Sequence, residues 1–144
     1  MTRLRLLPAA LLAALALSSC APSLPDGEMN ALACEHFQAV AAKASLIHLG
    51  ETYESDEPVI DSQEDWDAVF EEWEQVRADL DETIGMARGE VRDLVVAARD
   101  AFPSRPIDDP SSTDDDTAPF DAAAAAVVEA CTAEGVQIRV APLG

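Results

Sequence analysis

Basic residues are scarce in this 144-residue chain: 9 Lys+Arg stand against 28 Asp+Glu, and Lys43 is the one lysine. Phosphate backbones are bound through a basic footprint, so the balance excludes nucleic acid as a partner. It also sets the body of the protein against anionic lipid. Histidine and tyrosine are nearly absent, at two and one. A serine triad would have to take His36 or His48 as its base. Both fall on or near an apolar helical stripe, where a histidine bonded into the packing is the better reading. No phosphate-cradling glycine loop and no paired C-x-x-C is present. No catalytic residue, metal site or cofactor is therefore assigned, and the chain does not read as an enzyme. A membrane-spanning helix needs about 20 apolar residues; the apolar run Leu6–Leu17 has 12 and contains Pro8.

That run belongs to a leader. Arg3 and Arg5 precede it, and Leu17-Ser18-Ser19-Cys20 closes it with small residues, the order of a secretory signal peptide. The ending resembles the lipobox of bacterial lipoproteins; an ordinary signal peptide cut elsewhere is the rival reading. The resemblance implies that residues 1–19 are removed and that Cys20 becomes the acylated first residue. The protein would then be lipid-anchored in the bacterial cell membrane, facing the extracytoplasmic side. Two or more acyl chains hold stably where one is marginal, at about 0.8 kcal/mol per buried methylene. Residues 20–26 form a short Pro-stiffened tether. Removing the leader takes two bases and no acid, leaving 7 Lys+Arg against 28 acids and a formal charge of −21. Repulsion and tether together hold the domain just off an anionic bilayer.

Lipidation of Cys20 would leave Cys34 and Cys131, an even number in an oxidising compartment, which reads as one disulfide. A Cys–Cys–His metal site using His36 or His48 is the alternative, but the paired spacing of such sites is missing.

Helical periodicity organises the remainder. Ala33, Phe37, Val40, Ala44 and Ile47 mark a first helix over about 26–49, and Gly50 stops it. Ser62-Gln63-Glu64-Asp65 resembles a capping box. Beyond it Trp66, Val69, Trp73, Val76, Leu80 and Ile84 share one face. The stripe continues through Ala87, Val91, Val95, Ala98 and Phe102, which alone suggests one helix of about 40 residues, close to 60 Å long. Gly85 and Gly89 argue for a break, each costing about 1 kcal/mol within a helix. A break also puts Cys34 and Cys131 at the same end of a bundle. Residues 103–116 read as a mobile acidic loop. A last helix starts near Thr117, with Pro119 in its first turn. It buries Phe120, Ala123, Ala124, Val127 and Cys131, and it ends at Gly135. Val136, Ile138 and Val140 predict an extended tail packed along the bundle.

Between Asp61 and Glu82 lie ten acids and one base, Arg77. Like charges at helical neighbours cost about 0.2–0.5 kcal/mol each. A solvated face is the plain reading of this patch; a surface for a basic protein partner or for cations is the functional one. Glu71, Glu72, Glu74 and Phe70 are its candidate partner-binding residues. Phe70, one position off the stripe, is the candidate exposed ring, while Trp66 and Trp73 fall on the core side. Asp108, Asp109 and Asp114–Asp116 lack the alternation and glycine of a calcium loop.

The expected fold is an all-α bundle of three or four helices, a single domain over 27–140, stapled by one disulfide between its first and last helices. In layout the chain resembles small helical lipoproteins of actinobacteria, which carry a lipobox, an early cysteine as in Ala33-Cys34-Glu35-His36-Phe37 and a late one as in Glu129-Ala130-Cys131-Thr132-Ala133. The expected role is an interaction or structural module at the cell envelope. Small-ligand or divalent-cation binding is the alternative, with Trp66 and Trp73 lining an interior ligand site.

Overall fold

The computed structural model describes residues 24–48, 63–106 and 117–144. Its four helices are α1 (Asp26–His48), α2 (Gln63–Met86), α3 (Gly89–Ala101) and α4 (Ala118–Ala133), with no strand among the described residues. Side-chain contacts fix their directions. Lys43 meets Asp79, His36 meets Thr83 and Asn30 meets Arg88, so α1 and α2 are antiparallel. Cys34–Cys131 and Asn30–Glu134 make α1 and α4 antiparallel. Trp73 against Phe102, and Asp81 against Arg99, do the same for α2 and α3. The chain runs up, down, up and down. The Cys34–Cys131 disulfide joins the first and last helices across a sequence separation of 97.

The helix that periodicity alone would extend to Phe102 is broken after Met86. Three groups hold the break. Arg88 turns its guanidinium back onto the carbonyls of Gly85, Met86 and Ala87, 2.8–3.0 Å away. A cation there meets both the orphan carbonyls and the negative end of the α2 dipole. Asn30 of α1, buried on the apolar stripe, accepts the Arg88 backbone N–H at 2.8 Å with its side-chain oxygen, so α3 is capped by a neighbouring helix. Gly89 then adopts φ +55°, which favours glycine. Gly85, read from sequence as a turn residue, is instead inside the last turn of α2. Because 3.6-residue periodicity survives so short a break, Ala87, Val91, Val95 and Ala98 all remain buried.

Aromatic packing fills the opposite end. Trp73 stacks on Phe102 at 4.4 Å and Phe120 meets Phe102 edge-on at 5.2 Å. The Trp73 indole N–H donates to the Pro103 carbonyl at 2.8 Å, and Arg77 donates to the same oxygen at 3.0 Å. This corrects the expected loop: Pro103 and Pro106 are buried, so the segment starts as part of the core. Its acidic stretch, including Asp108, Asp109 and Asp114–Asp116, lies outside the described residues, as do Cys20, the leader and Ser62 of the capping box. Trp66 also departs from expectation. It is only half-buried, its ring meeting Phe70 one turn along the same ridge at 6.4 Å, and Phe70 is likewise half-buried rather than exposed.

At the end of α4, Gly135 takes φ +87° while Val136 N–H reaches the Cys131 carbonyl at 2.8 Å and Gly135 N–H that of Thr132 at 3.0 Å, a Schellman closure. The tail then runs back along the bundle as predicted and continues past residue 140. Gln38 accepts Arg139 N–H at 2.7 Å, Asp121 accepts Leu143 N–H at 2.8 Å, and Ile138 and Leu143 are buried.

These contacts predict opposite effects for two similar substitutions. Gly85→Ala, helical with nothing within 4 Å of an added Cβ, should stabilise by about 0.5–1 kcal/mol. Gly89→Ala should destabilise by about 1–2 kcal/mol through its left-handed backbone. Urea unfolding separates them. Replacing Cys34 and Cys131 together with alanine should remove up to about 4.7 kcal/mol in the chain-entropy limit, read as a lower urea midpoint.

Candidate functional site

The acids of α2 divide according to which neighbours supply a cation. Asp79 takes Lys43 at 3.3 Å, Asp81 takes Arg99 at 3.2 Å, and Glu74 lies 3.8 Å from Arg77. Glu71 and Glu72 are exposed, and no ion pair reaches either among the described residues. Of the candidate partner-binding residues, then, Glu71 and Glu72 are exposed and uncompensated and Glu74 is partly compensated. Phe70 and Trp66 lie one turn below on the same helix, each half-buried. Helical spacing puts Trp66, Phe70 and Glu74 on one ridge, while Glu71 and Glu72 occupy other parts of the exposed side.

The seam between α1 and α2 is polar and satisfied. Thr83 is fully buried, and its hydroxyl donates to the Asp79 carbonyl one turn back at 2.9 Å. It therefore accepts from His36 Nδ1, 2.8 Å away. With its proton spent on a backbone carbonyl, Thr83 is not poised as a nucleophile and His36 serves the packing. Beside them Asp79 accepts from Gln75 at 2.7 Å and from Lys43 at 3.3 Å. Burial pushes the Asp79 carboxyl up, as the largest single influence. The hydrogen bonds from Gln75 and Lys43, with the charges of Lys43 and His36, together outweigh it and hold the group below its ordinary 3.8.

The disulfide consumes both thiols that a Cys–Cys–His metal site would have needed. No group of three His, Cys, Asp or Glu is placed to hold a metal ion among the described residues. Of the two rings expected to line an interior ligand site, Trp73 is packed on Phe102 and its N–H is bonded to Pro103. A half-open cavity of about 190 Å³ exists elsewhere, between α4 and the tail, lined by Ala124, Val128, Val140 and Pro142 among others. That is below the roughly 300–1,000 Å³ of small-molecule sites. No helix is long and apolar enough to cross a membrane among the described residues.

Sequence reasoning missed the residues that organise the seam: Asn30, Thr83 and Arg88. Asn30 carried a signal, a polar residue on an otherwise apolar stripe. Arg88 carried another, a cation just past a helix end.

The architecture is that of an up-and-down four-helix bundle with a covalent staple. No protein-family model matches the chain, and no curated protein or solved structure is significantly similar to it.

The seam yields a pH-dependent prediction. Asp79 has a folded-state pKa below its unfolded value, so its contribution is present above about pH 4 and is lost as pH falls through the folded pKa. Asp79→Asn should cost about 1 kcal/mol or less at pH 7, and the difference from wild type should vanish near pH 2. Urea midpoints measured at both pH values check this.

Proposed function

We propose that the protein is an extracytoplasmic lipoprotein, anchored through lipid on Cys20, which presents an acidic helical face to a basic partner at the cell envelope. The observation that carries this reading is the buried Cys34–Cys131 disulfide. Structural disulfides persist in oxidising compartments and are rare where glutathione keeps thiols reduced. A disulfide therefore favours export, and the leader ending Leu17-Ser18-Ser19-Cys20 supplies the route and the anchor. The partner class follows from charge. Glu71 and Glu72 are solvent-exposed and uncompensated, beside a half-exposed aromatic pair. Leaving like charges unpaired costs stability without packing gain, which a basic partner would offset.

Two measurements test the reading. Mass spectrometry of the protein extracted from membranes should find acyl groups on a Cys20-led N-terminal peptide; an unmodified Cys20 ends the anchor. Crosslinking in intact cells should capture a basic envelope protein. The triple variant Glu71→Gln, Glu72→Gln, Glu74→Gln should reduce that capture several-fold without lowering the melting temperature. Equal capture by the variant would remove the acidic face from the interface.

A further inference from the structure

The large hydrophobic side chains that stay exposed among the described residues are Leu24 and Leu32, each 46 % accessible. Both fall within the first nine described residues, at the start of α1. Isolated exposed leucines need no explanation; their shared place in the chain does. Leu24 is four residues after Cys20. A fully extended chain covers about 3.3–3.6 Å per residue, so Leu24 lies within about 14 Å of any anchor on Cys20. Leu32 is six residues into α1 from Asp26, a rise of about 9 Å. Resting on the lipid-anchor reading above, we propose that Leu24 and Leu32 are the contact of the domain with the outer face of a zwitterionic bilayer, so that the start of α1 leans on the headgroups.

Charge selects that occupant. On the ridge of α1, Leu32 stands between Glu28 and Glu35, both exposed, with Asp26 in the first turn. Acids in these places are repelled by an anionic surface and accommodated by a neutral headgroup layer, where the leucines can leave water. The antiparallel fold gives the contact a consequence. The acid-rich start of α2 lies beside the end of α1, at the far end of a 23-residue helix about 34 Å long. Contact at one end therefore presents Glu71 and Glu72 away from the lipid.

Hydroxyl-radical footprinting reads this directly, because leucine modification follows side-chain exposure. The acylated full-length mature protein in phosphatidylcholine vesicles is compared with the Cys20→Ser chain in solution, using Leu94 as internal reference. Modification of Leu24 and Leu32 should fall several-fold on the vesicles, and less when phosphatidylglycerol is included. Unchanged modification in a sample whose Cys20 is acylated overturns the contact while leaving the anchor intact. An equal fall in the Cys20→Ser chain as its concentration is raised would assign the patch to a second copy and overturn the proposal. Absence of acylation in that sample would instead end the anchor reading, and the contact with it.

Discussion

Reversal of the chain at Ala87–Arg88 is the constraint from which the rest of the structure follows. Without it α2 and α3 would be one rod, the last helix would run parallel to the first unless its connection climbed back, and Cys34 and Cys131 would sit at opposite ends. With it, both sulfurs meet near one end of the bundle, where Asn30 also bonds Glu134 and the Arg88 backbone. The reversal is stabilised by polar groups rather than by a change of hydrophobic pattern. A guanidinium satisfies three carbonyls at the end of α2, and an asparagine from another helix caps the start of α3. Each is a backbone group that would otherwise be an unpaired helix terminus.

The opposite end is held differently. Trp73, Phe102 and Phe120 pack as a chain of rings from three parts of the sequence, and Pro103 accepts from both Trp73 and Arg77. Arg77 also lies 5.7 Å from the Phe102 ring centroid, within cation–π range. The few bases are placed where they reach acids or backbone: Arg77 meets Glu74, Pro103 and the Phe102 ring, Arg99 meets Asp81 and Asp100, and Lys43 bridges α1 to α2. Cations placed between helices neutralise carboxylates where helices approach, and acids left over face water.

That division shapes the functional reading. The acids nearest the α1–α2 and α2–α3 seams are paired, while Glu71 and Glu72 stay uncompensated on the exposed side of α2, away from the proposed anchor. An anchored body that carries uncompensated acids at its far end is suited to presenting them to a basic partner.

Amphipathic stripes were enough to place α1 and α4 to within a residue or two, because one buried face repeats every 3.6 residues whatever its neighbours are. Periodicity could not say whether α2 and α3 were one helix, since a break of two residues keeps the stripe in phase. Gly85 and Gly89 looked alike in sequence, yet only Gly89 has a left-handed backbone. Their angle on a helical wheel assigns Trp66 to the core and Phe70 to the surface, whereas both are half-buried and in contact with each other. Pro103 looked like the first residue of a loop and became an acceptor for a core tryptophan. Composition and local spacing by themselves determined the helical class, the acidic surface and which cysteines remained to pair. Tertiary structure decided where the chain turns, which carboxylates are paired and which rings are buried, because each depends on groups brought from another helix and on no local pattern.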